Sequence, residues 1–241
     1  MSNPSAKWWN EAIVYQIYPR SFQDSNGDGE GDLPGITSRL QYIRDLGVDA
    51  IWLSPFYTSP NKDGGYDVAN PRDVDPRFGT IADAQKLFEE AHSLGLRVLV
   101  DVVPNHFSSE HAWFQEALAA PKGSAARNRF HFHDGKGPNI PPNNWYSLFG
   151  GPAWTQVSDG QWYLHLFDSS QPDLNWDNPE VQEDFELICW DFVSNPSTHG
   201  AFMRPTHMNE SVNKNIATNK YNKVNDIITS ILCEDGKCRI I

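Results

Sequence analysis

Three short apolar runs, each giving way to polar residues at its C-terminal end, set the pattern of the N-terminal part of the chain. Ile13 to Tyr18, Val48 to Leu53 and Leu96 to Val100 are mostly apolar on both alternations, as strands buried on both faces of a parallel sheet are. Between the first two, Ile36, Leu40, Ile43 and Leu46 fall at helical spacing and Gly47 supplies a stop. Between the second and third, Thr80 to Leu94 predicts a helix that Thr80 caps, with Asp83 completing its first turn and Gly95 closing it. The order β-α-β-α-β with short turns predicts an α/β fold with a parallel sheet and right-handed crossovers. The third run ends in Asp101-Val102-Val103-Pro104-Asn105-His106, which puts a carboxylate, an amide and an imidazole directly after a strand. In a β/α barrel that is the ligand-binding mouth. An ordinary polar loop is the competing reading of these residues alone.

After His106 the pattern changes. Residues 107–170 are rich in Trp, Pro, Asn and Gly, and one element is plain: a hairpin of Ala153–Val157 and Gln161–Phe167 around the turn Ser158-Asp159-Gly160. Asn178 then caps a new helix with Pro179 at its first position, running through Val181 and Phe185. The chain thus divides into three β/α units over residues 7–106, an irregular inserted subdomain over 107–176, the start of a third helix over 177–186, and residues 187–241 of different texture. Residues 195–225 are heavy in Asn and Thr, with sparse aliphatics and no strand-like run.

Charge and composition narrow the function. A formal net charge of −12 over 241 residues argues against a surface that tracks nucleic-acid phosphates. No stretch is long and apolar enough to span a bilayer, so no membrane partner is expected. No secretory signal is read at Met1–Lys7. The cysteines, Cys189, Cys233 and Cys238, are odd in number and confined to the last part of the chain, which predicts a cytoplasmic setting and no disulfide framework. His131 with His133, and Cys233 with Cys238, lack the partners a zinc site needs. The loop Asp24-Ser25-Asn26-Gly27-Asp28-Gly29-Glu30-Gly31-Asp32 alternates oxygen-bearing side chains with glycines, which suits a hard cation, calcium best. Gly35 stands where an EF-hand needs its bidentate glutamate, so this is not an EF-hand. A metal-free Asp/Gly turn is the alternative.

Several motifs then fall in one order: Trp8-Trp9, Val14-Tyr15-Gln16-Ile17-Tyr18-Pro19-Arg20-Ser21-Phe22, Asp24 to Gly29, Gly65-Tyr66-Asp67, Asp101 to His106, and Gln171-Pro172-Asp173-Leu174-Asn175-Trp176. With them the chain resembles glycoside hydrolase family 13, the α-amylase superfamily, over residues 7–186. Within it the Gln-Pro-Asp-Leu-Asn segment points to the branch of oligo-1,6-glucosidases, α-glucosidases and sucrose- or trehalose-type isomerases. The resemblance implies the N-terminal part of a (β/α)8 TIM barrel, about three β/α units, with a subdomain inserted after strand three. It implies a structural calcium held by the side chains of Asp24, Asn26, Asp28 and Asp32 and the backbone carbonyl of Glu30. It implies an α-glucoside oligosaccharide or disaccharide as ligand. Asp63 would grip hydroxyls of the non-reducing glucose, Tyr66 would stack under its ring, and His106 would hydrogen-bond beside them. Phe149, Phe167 and Gln171 would complete the wall, and Asp101 would orient its neighbours.

The catalytic groups are another matter. Retaining glycosidases need two carboxyl groups about 5 Å apart. The family's nucleophile lies in a Gly-Phe-Arg-x-Asp segment on strand four, with the acid/base Glu and a third Asp after later strands. No such segment is read past Trp176: Asp191 comes too early and lacks the Arg, and Glu210 and Glu234 sit outside any strand pattern. Residues 187–241 are therefore read as a tail outside the resemblance, of the kind a frameshift or truncation produces. The chain is expected to be inactive alone. The alternatives are a non-catalytic glucoside-binding remnant, or half of a split glucosidase or isomerase completed by another chain.

Overall fold

The computed structural model describes residues 8–185 of the chain. The expectations for residues 187–241, including Asp191, Glu210, Glu234 and the cysteines, lie outside the described residues. Strands β1 (Val14–Ile17), β2 (Ala50–Leu53) and β5 (Arg97–Val100) form a parallel sheet in the order β1-β2-β5, with Ile17, Leu53 and Val100 in register at its C-terminal edge. The runs that carry these strands are a few residues longer than the strands themselves. Central β2 is buried as expected, but Val14 on β1 is exposed and Leu99 on β5 is 38% exposed. Each outer strand has one hydrogen-bonded neighbour among the described residues, so only β2 is covered on both edges.

A one-turn helix α1 (Pro19–Phe22) follows β1. The periodic stretch expected as one helix is two, α2 (Leu33–Ser38) and α3 (Leu40–Asp45), broken at Arg39. Thr37 Oγ1 and Ser38 Oγ donate back to the carbonyls of Leu33 and Gly35 at 2.9 and 2.6 Å, a competition with the helix ladder that bends helices. Leu33, Ile36, Leu40 and Ile43 still share one buried face, while Leu46, expected in that stripe, is exposed past the end of α3. Helix α4 (Ile81–Ser93) has the expected Thr80 cap, with Asp83 bonding back in a full capping box. Its Ala84, Leu87 and Ala91 are buried.

The stretch between β2 and α4 contains a short antiparallel pair, β3 (Tyr57–Thr58) with β4 (Asn70–Val74). Two strand residues and a proline inside the longer strand leave no periodic signal to read. This pair closes residues 59–69 into a compact loop over the mouth of the sheet. Its foot is pinned by Asp75, which accepts from Ser59 N and from Arg77.

Beyond β5, helices α5 (Ala112–Ala119) and α6 (Ala125–Asn128) precede a three-stranded antiparallel sheet. Its order is β6 (Phe132–Asp134), β8 (Gln161–Leu164), β7 (Trp154–Gln156), and the β7–β8 hairpin turns at Gly160 with φ 91°. Phe114 of α5 packs its ring against Phe130 and Tyr163 at 5.1 and 5.0 Å, joining helix to sheet. The run Gln161–Phe167 is strand only to Leu164, because the Leu164 carbonyl accepts from Asp173 N and the chain turns away. The returning segment then bridges antiparallel to the residues after β5, His106 opposite Asp173. Asn178 caps a helix from residue 179 with its Oδ1 accepting from Glu180 N at 2.9 Å, and Val181 and Phe185 are buried.

Candidate substrate-binding site

The C-terminal ends of β2 and β5, the 59–69 loop and the returning segment meet in one polar cluster. Gln171 lies at its centre, fully buried. Its Nε2 donates to Asp63 Oδ2 at 2.7 Å and lies 3.1 Å from His106 Nε2, while its Oε1 accepts from Asp168 N at 3.0 Å. His106 Nε2 is also 3.2 Å from the Tyr66 carbonyl. Phe167 packs on the His106 ring at 5.2 Å, and Phe149 packs edge-on to Phe167 at 5.6 Å. Phe149 is 60% exposed, and Trp145, Tyr146 and Leu148 beside it are exposed as well. The cluster is thus a buried polar network with exposed aromatic side chains beside it.

Asp101 has both oxygens engaged. Trp52 Nε1 donates to Oδ1 at 2.6 Å and the Tyr66 hydroxyl to Oδ2 at 2.7 Å, and the Tyr57 hydroxyl donates to its backbone carbonyl. It therefore orients Tyr66 and Trp52 rather than offering a free carboxylate. Burial, and then the Asp101 carboxylate beside it, pushes the Tyr66 phenol up to about 12, so Tyr66 stays a neutral donor. Burial lowers the His106 imidazole below its usual value, which keeps the ring uncharged at neutral pH.

Two groups missed by the sequence reading hold this arrangement. Asp67 is fully buried and accepts from Ser59 Oγ, Lys62 N and Asp63 N, so it folds the loop that presents Asp63. Asp173 is buried behind His106 and accepts from Asn105 Nδ2 and Leu166 N. Burial pushes the Asp173 carboxyl up to about 7. Asn105 and both acids stand inside the motifs quoted above, but motif membership does not say which residue faces the pocket and which stands behind. Gly65 is fixed by local geometry: its φ is 99°, and a Cβ there would meet the Pro55 carbonyl at 2.9 Å.

The 24–32 loop lies between α1 and α2, and its oxygens are turned onto its own N–H groups. Asp24 accepts from the N–H groups of Asn26, Gly27 and Gly29, which hold its carboxyl below the usual range. Asp28 accepts from Glu30 N and Asn26 Nδ2, and the Glu30 carboxylate pairs with Arg20 at 2.8 Å. Asp32 caps α2 through Gly35 N at 2.6 Å and also accepts from Ser25. The donor set is all oxygen, which fits a hard cation chemically. No three acidic, histidine or cysteine side chains converge on one point among the described residues.

The sequence model of the alpha-amylase catalytic domain matches residues 16–220. The chain belongs to the alpha-amylase family, glycoside hydrolase family 13. It is 55% identical over 181 residues to a probable alpha-glucosidase of Rhizobium meliloti, a match that covers 75% of this chain and 33% of the relative. It is 51% identical over 188 residues to an oligo-1,6-glucosidase of Halalkalibacterium halodurans, covering 77% of this chain and 33% of that protein. Among solved structures, the alpha-glucosyl transfer enzyme XgtA superposes with a TM-score of 0.76 at 50% identity, over 79% of this chain and 36% of its own. The chain thus spans about a third of the length of the curated relatives it matches. Its fold is accordingly the N-terminal part of the family's TIM barrel. The family match runs past residue 186, where the sequence reading ended the resemblance. No helix among the described residues is long and apolar enough to cross a membrane.

Proposed function

We propose that this chain forms the glucosyl-binding part of an α-glucosidase-type hydrolase site, for α-glucosidic bonds in malto- or isomalto-oligosaccharides. One observation carries the reading: Asp63, His106 and Gln171, from three separate stretches of chain, meet within direct hydrogen-bond reach beneath the Phe149–Phe167 rim. Asp63 supplies an acceptor that the Gln171 amide holds in place, and the aromatic rim covers the apolar face of a sugar ring. The family and the named glucosidase relatives support the choice of an α-glucoside.

Binding rather than bond breaking is the role proposed for residues 8–185. Asp101 and Asp67 have their oxygens engaged, Asp173 stands behind the histidine, and Asp63 is the carboxylate left to meet the sugar. The resemblance puts the nucleophile on a fourth strand, and no segment of its form is read in this sequence. Turnover would then need a complementing chain that carries such strands. The proposal includes calcium at Asp24, Asn26, Asp28, Asp32 and the Glu30 carbonyl, where it would brace the loop that caps α2. It also includes a cytoplasmic setting, supported by the cysteine usage.

Calorimetric titration of the full 241-residue chain with isomaltose and maltose tests the reading. Saturable binding without glucose release is expected, and Asp63→Ala should weaken it about tenfold or more, as loss of a charge-assisted hydrogen bond does. Equal binding by the variant, or release of glucose by the chain alone, contradicts it.

A further inference from the structure

Phe167 lies past the end of β8, and two side chains hold its carbonyl oxygen. Ser147 Oγ donates to it at 2.7 Å, and His165 Nδ1 lies 3.1 Å from it. A carbonyl only accepts, so Nδ1 carries a proton. In the neutral ring Nε2 is then bare. It faces the hydroxyl of Thr155 on β7 at 2.9 Å, and that hydroxyl supplies the donor. The opposite tautomer would set two acceptors, Nδ1 and the Phe167 carbonyl, against each other. With Ser147 and His165 in place, both lone pairs of the carbonyl are taken.

Ser147 has one hydroxyl proton and spends it on Phe167, while its oxygen accepts from Phe149 N at 3.0 Å. Thr155, His165, the Phe167 carbonyl, Ser147 and the Phe149 N–H thus form one chain of hydrogen bonds. It runs from the β7–β8 hairpin to the backbones of the two rings that meet edge-on at 5.6 Å. His165 and Ser147 are buried whereas Phe149 is exposed, so the exposed ring is held from behind. A second seam runs alongside, with Leu148 N donating to the Leu166 carbonyl at 2.7 Å.

We propose that His165 and Ser147 are positioning residues: together they hold the Phe167 carbonyl, and through it they set the Phe149–Phe167 rim over the glucosyl pocket. The pocket part rests on the glucosyl-site reading, whereas the hold on the two rings does not. Neither residue touches sugar in this scheme. His165 acts through the Phe167 backbone, and Ser147 through the backbones of both rings.

Long-range 1H–15N NMR of the imidazole rings in the full chain, at about pH 8 where an ordinary histidine is neutral, separates the tautomers. His165 is expected as Nδ1–H. His165→Asn places an amide NH2 near the position of Nδ1, and His165→Gln places it near that of Nε2. The Asn variant should keep the nuclear Overhauser contact between the Phe149 and Phe167 rings and bind maltose as the wild type does. The Gln variant should lose that contact and bind about tenfold more weakly. A residue that only fills space would give the reverse order, since glutamine is nearer to histidine in size. Near-UV circular dichroism checks that each variant is folded. Ser147→Ala, which removes the second donor, replaces His165→Gln if that variant is not. A wild type with the His165 proton on Nε2 overturns the proposal. So does a folded His165→Gln or Ser147→Ala variant with the ring contact intact, or an Asn variant no better than the Gln one. A wild type with Nδ1–H and the ring contact that binds no maltose upholds the hold on the rim and overturns the glucosyl reading.

Discussion

Burial raises the Asp173 carboxyl to about 7 in the folded chain, against a value near 3.9 when unfolded. The sign of the resulting stability change follows. Between those two values the unfolded chain has lost this proton and the folded chain has kept it, so stability falls as pH rises from about 4 to about 7. Below the lower value the effect vanishes, and above the upper one it is constant. Asp173→Asn has nothing to ionise. It should match the wild type in urea melts near pH 4 and exceed it at pH 8 by roughly 1–4 kcal/mol. Equal stabilities at pH 8 would show that Asp173 ionises at no cost where it sits. The residue scale is also where the sequence was least informative. Asp63, His106 and Gln171 were legible as pocket candidates through the family resemblance, and His106 also through its place after a strand. That Asp101 would spend both oxygens on Trp52 and Tyr66, or that Asp173 would lie behind His106, follows from packing that no spacing encodes.

Elements with a strong period or a cap could be read, and those held by tertiary contacts could not. The α4 capping box at Thr80 and Asp83, the β7–β8 hairpin and the Asn178 cap all stood in the sequence as local chemistry. The β3–β4 pair did not, since Tyr57 and Thr58 become a strand only because Val74 and Asn70 lie opposite. Nor did the break at Arg39, where two hydroxyls outcompete the helix ladder. The 24–32 loop is the element on which a metal prediction turns. It is shaped by its own N–H groups, and it leads through Asp32 into the cap of α2. A cation there would bind the folded loop and not the unfolded chain, so calcium at a hundredfold excess over its dissociation constant should add about 2.7 kcal/mol. Thermal melts with calcium and with chelator measure this. An upward shift of several degrees is expected, larger than magnesium gives, and coincident melts would remove calcium from the account.

At the scale of the whole molecule, the described residues carry the proposed glucosyl-binding cluster beside a sheet whose outer strands, β1 and β5, each pair on one side among those residues. Family membership accounts for the open edges, since a barrel has further strands for them. The central claim is the proposed division of labour: sugar held here, and the bond broken only with groups that a complementing chain would bring. The most direct test is an NMR titration of the full chain with p-nitrophenyl α-glucoside, with side-chain signals followed one by one. Saturable shifts at His106, Tyr66 and the Gln171 amide are predicted, with the packed rings of Phe114 and Phe130 unmoved and no p-nitrophenol released. Shifts confined to other residues, no shifts at all, or steady release of p-nitrophenol would contradict it.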